Sequence, residues 1–414
     1  MASIVSLSPG LSLEEAISRC GAHEIVNTDQ GSPCLTRAGA RTRSRNSGSG
    51  GLSILDLICG YYEFDDTDIG SMHAKYMLRD GVARLLALTG FTAPARRARG
   101  FLSIATFHRV LPAPLRDAYP YPGLVVTPEE LDAFLAYFCE HFDCGTLEAQ
   151  HQRFLGGNSG ARPLLALTFD DGQQDNFEYA RPVLETYRLK ASFFIPVVAM
   201  EQQELLWHDR LGFAVLALLR IGDGDRERLT GILAAAELSG SGPRSLVENA
   251  VAESKRLPLN ARLRLIETLE DAAGGIAAPE FARLMTFDEL ARLADDGHEI
   301  GSHSMTHCLM PECNDRELAY ELSESRRVLQ ARTGQAIESF CYPNGNSDAR
   351  SVDAVAKAGY RRAVTTNWGR NGRDADPCQL RRCDMDAGRV RDANGKMAPA
   401  LVAFRMSGLY PGLD

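Results

Sequence analysis

Six short apolar runs punctuate the chain: FLSIATF (101–107), LLALTF (164–169), ASFFIPVV (191–198), HEIGSH (298–303), IESFCY (337–342) and RRAVTT (361–366). Each is brief and often β-branched or aromatic, which predicts buried strands rather than helices. Between them, apolar residues return at helical spacing, as in DRELAYELSESRRVLQAR (315–332) and SDARSVDAVAKAG (347–359). Strands alternating with helices predict parallel βα units and an α/β fold. TPEELDAFLAYFCEHF (127–142) opens with Thr127 and Glu130, a capping box, and predicts a helix. YMLRDGVARLLALTG predicts a short amphipathic helix ending at Gly90.

The alternation is interrupted once. From about 201 to 285 the segments LLWHDRLGFAVLALLRI, RERLTGILAAAEL and ARLRLIETLEDAAG all have helical periodicity, so a helical subdomain is expected to be inserted there. Residues 1–72 show little periodicity, and RAGARTRSRNSGSGGL within them has linker composition, so a poorly ordered extension is expected. A helical lead-in (73–100) and a main domain (101–400) follow. No internal repeat is visible.

Composition narrows the function. With 414 residues, 44% hydrophobic and 24% charged, the chain has an ordinary globular balance. A formal charge of −9 argues against nucleic acid as a partner, and RTRSR (41–45) and ARRARG (95–100) read as solvated charge. No span approaches the roughly 18 apolar residues of a membrane helix. The N-terminal stretch lacks the basic region and apolar core of a secretory signal, so a cytoplasmic, at most peripheral, location is expected. Ten cysteines form no CxxC and are expected to be free thiols.

The chemistry starts at LALTFDDGQQDN (165–176), where an apolar run meets Asp170, Asp171 and Gly172. The C-terminal ends of parallel strands are where reactive groups gather, although Asp-Asp-Gly is also good turn chemistry. A second motif, GHEIGSHSMTH, places His303 and His307 four residues apart. On a helical turn such residues share a face, with Cβ atoms about 6 Å apart, and two imidazoles with a carboxylate suit a metal ion, usually Zn2+. The spacing is that of the zinc-protease HExxH, but no Glu lies between the histidines, so a base must come from elsewhere, and Asp170 is the candidate. Adjacent carboxylates can divide the work, one ligating and the other taking a proton. FCYPNGNSD supplies a strand end and a tight turn able to aim a backbone N–H. His298, on the opposite strand face from His303, reads as structural.

TFDDG, HSMTH and YPNG, in this order, resemble the first three motifs of the NodB-homology polysaccharide deacetylases, carbohydrate esterase family 4, over roughly 100–385. The resemblance implies a distorted (β/α) barrel with a helical insertion, and a mononuclear centre for Zn2+ or another divalent ion such as Co2+. It also implies hydrolysis of N-acetyl groups on a carbohydrate. By resemblance Asp170 is the catalytic base, and Asp171, His303 and His307 are the metal ligands. Tyr342 and Asn344 belong to the oxyanion and substrate turn, Asn344 through its amide.

Two departures stand out. The third motif usually opens with an Arg that holds the base, yet Cys341 occupies that place; Arg382 in QLRRCDMD is the candidate replacement, with an ordinary surface arginine as the alternative. The family's late Leu-x-His acid is missing, since His307 is the last histidine. Circularly permuted relatives bring this histidine from an early strand, and FHRV makes His108 the corresponding general acid. Trp207 and Asp209, in WHDR, resemble a segment lining the substrate groove in some relatives; a docked helix start is the alternative. An esterase or amidase on another acyl group, or a glycan-binding protein that has lost turnover, are the rival functions.

Overall fold

Seven parallel strands close into a ring in the computed structural model, which describes residues 69–157, 160–236 and 243–409. They are β1 (Leu102–Phe107), β2 (Leu164–Phe169), β3 (Ser192–Ile195), β4 (Glu299–Ser302), β5 (Ser339–Cys341), β6 (Arg362–Trp368) and β7 (Leu380–Asp384). Each pairs with its successor, and β1 closes the circle against β7 (Ala105↔Cys383, Thr106↔Asp384). On its other side β1 pairs with β2 from Leu102↔Leu164 to Phe107↔Phe169. Parallel strands closed into a ring make this a (β/α) barrel. The short segment Asp143–Gly145 pairs with the first half of β2.

The period-two geometry of a strand sorts the side chains. Leu102, Ile104, Leu164, Ala166, Phe194, Cys341, Val364 and Leu380 fill the barrel interior. Their neighbours Phe107, Phe169 and Phe193 face the helices and stack, with ring centroids 5.2 and 5.1 Å apart. Two strand readings change. In ASFFIPVV the strand ends at Ile195; Pro196 has no N–H for the ladder, and Val197–Gln202 is helical. β7 was not anticipated as a strand, because its sequence LRRCD carries charge where the barrel mouth is polar.

Among the described residues eleven longer helices surround or extend the ring: α1 (Ile69–Leu88), α2 (Pro128–His141), α3 (Leu147–Leu155), α4 (Trp207–Ile221), α5 (Asp223–Ala235), α6 (Pro243–Ser254), α7 (Leu259–Ala272), α8 (Phe287–Asp295), α9 (Asp315–Thr333), α10 (Ala349–Lys357) and α11 (Pro399–Met406). Reciprocal capping boxes start α2, α8, α9 and α10. Between β3 and β4, helices α4–α7 bury Leu211, Leu218, Leu229, Val247, Ile266 and Leu269 in a core of their own, shared with Tyr119 and Tyr121 of the segment after β1. Most of the expected N-terminal extension lies outside the described residues; its last four positions, 69–72, already belong to α1. Among the described residues no helix is long and apolar enough to cross a membrane.

Candidate active site

The inward alternation that fills the barrel carries His108, Asp170, Arg382 and Asp384 to its mouth. Asp170 is buried and takes both guanidinium N–H groups of Arg382, Nη1 to Oδ1 at 2.8 Å and Nη2 to Oδ2 at 2.7 Å. Arg382 is itself fixed by Nε donating to the Thr365 carbonyl at 2.7 Å. Burial pushes the Asp170 carboxyl up, but the Arg382 charge and hydrogen bonds more than offset it, so the group is held below its ordinary value. Cys341 stands beside the pair, its Sγ 3.3 Å from Arg382 Nη2 and 3.5 Å from Asp170 Oδ2. The guanidinium thus arrives from β7, with a thiol in the place where the family pattern has arginine. His108 Nε2 lies 3.9 Å from Asp170 Oδ2.

Asp171 leaves the strand with φ 71°, and Gly172 follows with φ 63°. Ser304 and His307 share this left-handed conformation, as does Asn344. Among the described residues, four of the six non-glycine residues with positive φ are therefore at this site, a concentration that only strongly determined surroundings sustain. HSMTH is not a helical turn, as its spacing suggested. It is a loop in which Met305 and Thr306 give their N–H groups to Glu321 of α9, at 2.8 and 2.9 Å, and His307 N donates to Ser304 Oγ at 3.0 Å. The loop, rather than helical periodicity, brings the two rings together, centroids 4.8 Å apart.

Asp171 Oδ1 is 3.4 Å from His303 Nε2 and 3.3 Å from His307 Nε2. These donors are all buried and lie within 4.8 Å of one another, which fits a divalent transition ion. His303 Nδ1 donates to the Cys341 carbonyl at 2.7 Å, which leaves Nε2 bare for a cation, the usual outer-shell arrangement. Burial raises the Asp171 carboxyl, but the two imidazoles hold it well below its ordinary value. Asp170, His303 and Cys341 also cluster, but the Arg382 charge already occupies that side and repels a cation.

A cavity of about 520 Å³ opens over both carboxylates and is lined by Thr106, His108, Trp207, Asn344 and the imidazoles. Tyr342 borders it, yet Cys341 faces inward and Tyr342 therefore outward: its ring packs on Phe340 and its hydroxyl donates to the Cys378 carbonyl at 3.0 Å. Asp209 does not line the cavity. It is fully buried behind the wall, accepting from Tyr119 OH at 2.6 Å and Gln173 Nε2 at 3.2 Å. The groove position in WHDR belongs instead to His208, whose ring centroid is 5.4 Å from that of His307. Trp207 borders the cavity and carries the Arg262 guanidinium on its face, 4.9 Å from the centroid. Lys255, also at the cavity, escaped attention because α6 gave no clear periodicity. His298 is remote, with Nδ1 accepting from Ala191 N at 3.2 Å.

Fold and site define a parallel barrel protein with a buried carboxylate–guanidinium pair and a metal-type donor set at the strand ends. The family model described as polysaccharide deacetylase matches residues 157–210 and 265–363, the gap between them falling on the inserted helices; over these residues the chain is similar to that family. The Bacillus subtilis (strain 168) protein "Putative polysaccharide deacetylase YxkH" is 25% identical over 111 residues, 27% of this chain. This chain matches 40% of the length of that relative. Among solved structures, the Streptococcus pyogenes deacetylase PplD in complex with acetate has a TM-score of 0.49 at 17% identity, over 74% of this chain and 98% of that one. IcaB from Ammonifex degensii has a TM-score of 0.46 at 14% identity, over 74% and 97%.

Proposed function

We propose that this chain hydrolyses the acetamide of an N-acetylhexosamine unit in a polysaccharide, oligosaccharide or glycan precursor. The observation that carries the reading is the Asp170–Arg382 pair standing beside Asp171, His303 and His307 in one cavity. Zinc or a similar divalent ion held by these three residues supplies Lewis acidity toward the acetyl carbonyl and toward water.

The protein's own groups do the proton work. Asp170, kept ionised by Arg382, takes a proton from the attacking water, whose oxygen bonds to the acetyl carbon. His108, 3.9 Å from that carboxylate, gives its proton to the nitrogen as the C–N bond breaks, and acetate and the free amine leave. Arg382 and Thr365 keep Asp170 from turning, so its position is set before substrate arrives. The Asn344 amide, on the turn after β5, is the donor for the carbonyl oxygen as charge develops there.

The test is acetate release by zinc-loaded protein from N-acetylglucosamine oligomers and from acetyl esters, with Asp170→Asn alongside. The expected result is release from the amides, lowered about 10²- to 10⁴-fold in the variant. Release from esters alone replaces the amide reading with an esterase; saturable glycan binding without release replaces it with a binding protein.

A further inference from the structure

One cation at the cavity has no part in this chemistry. Lys255 follows the last turn of α6, is partly buried, and donates from Nζ to Asn344 Oδ1 on the opposite wall. That acceptor is neutral, and among the described residues no ion pair joins Lys255 to a carboxylate. The nearby acids of the facing wall are already engaged: Asp170 with Arg382, Asp384 at 3.6 Å from Arg405, and Asp386 at 3.2 Å from Arg389. Glu248 of α6 also lines the cavity, but it is exposed and sits seven residues before Lys255, about 10 Å away along the helix axis. Burial holds the Lys255 ammonium below the ordinary lysine value, against the attraction of Asp171.

Its hydrogen bond goes to a neutral amide oxygen, and Asp171, the carboxylate that attracts it, is already shared by two imidazoles, so this desolvated ammonium is under-compensated. The missing charge has to come from what fills the cavity. We propose that Lys255 selects an anionic substrate, an N-acetylhexosamine bearing a phosphate or a carboxylate on itself or on the adjoining sugar. The identity of the sugar rests on the deacetylase reading; the demand for negative charge rests on Lys255 alone. Because the lysine directly follows an inserted helix, in a stretch that the family model does not match, this selectivity belongs to the insertion rather than to the barrel.

The experiment is calorimetric binding to zinc-loaded Asp170→Asn protein, with and without Lys255→Met or Lys255→Arg. N-acetylglucosamine 1-phosphate is compared with N-acetylglucosamine, and an alternating N-acetylglucosamine–glucuronate tetrasaccharide with chitotetraose; the two pairs separate phosphate from carboxylate. At least one anionic ligand is expected to bind about 10- to 100-fold tighter than its neutral counterpart. Lys255→Met is expected to remove that preference and Lys255→Arg to restore most of it. Equal affinity within both pairs, or a preference that survives Lys255→Met because the metal supplies it, overturns the proposal. Acetate release by the protein with Asp170 intact is followed on the same ligands. Charge-selective binding without release sinks the hydrolase and leaves this inference standing; release without charge selectivity does the reverse.

Discussion

Asp170 is a buried carboxylate whose ionisation depends chiefly on one neighbour. With Arg382 removed, the burial that pushes its pKa up is opposed only by the weaker attraction of His108 and His303. Arg382→Met is therefore expected to move the acid limb of the pH–rate profile upward by about one unit or more, and to lower kcat. It also strands a buried charge, which costs about 3–5 kcal/mol when one partner of such a pair is deleted. Thermal unfolding and the pH profile together check this: a stability loss with an unmoved acid limb removes Asp170 from the role of base. His298 obeys a different rule. Burial lowers its pKa from 6.5 to about 4, so between those values the unfolded chain binds more protons than the folded one. Stability is then retained above pH 6.5 and lost as pH falls toward 4, by on the order of 2 kcal/mol from this residue. Denaturant melts across that window are expected to show a shallower acid decline for His298→Asn.

At the level of elements, most of the strands and helices were legible because their burial is one-sided and periodic; the elements of the mouth were not. β7 reads LRRCD because Arg382 and Asp384 face a polar cavity, so the strand lacks the apolar alternation by which the others are recognised. HSMTH brings its two imidazoles together by a geometry other than the one its spacing suggests: a loop tied to α9 rather than a helical turn. Nothing local to the motif announces Glu321, fourteen residues beyond His307, which accepts from two loop amides and from Thr306 Oγ1 at 2.7 Å. Glu321→Ala is expected to leave the donors present but loosely held, weakening zinc binding by about 10- to 100-fold, as loss of outer-shell support does. Competition with a chelating dye measures it; unchanged affinity means the loop holds its shape without α9.

Across the whole molecule, stability and chemistry occupy different ends of the barrel. At the floor, Glu299 is buried among Ser192, Ser339 and the Glu148 amide, with Arg362 3.7 Å away, a polar plug remote from the cavity. At the mouth, α4–α7 add a roof with its own core, anchored to the barrel by Arg262 of α7. That guanidinium is almost fully buried, stacks on Trp207 and pairs with Glu312 at 2.6 Å, just beyond the loop that carries His307. Helical periodicity forecast such an insertion but had no means of showing what it covers, since the contacts joining roof to barrel come from distant parts of the chain: Arg262 with Glu312, and Tyr119 and Tyr121 of the segment after β1, which pack into the roof core and bond Asp209 and the His208 carbonyl. Arg262→Met removes the ion pair while keeping an apolar body against Trp207. Because α4–α7 retain their own apolar core, the expected consequence is a roof that detaches more readily while the barrel stays folded. Limited proteolysis is expected to cut within 201–285 at least several-fold faster in the variant, with the far-ultraviolet circular dichroism little changed, and KM is expected to rise more than kcat falls. Uniform acceleration of cleavage along the chain would instead make roof and barrel one cooperative unit, with Arg262 part of its common core.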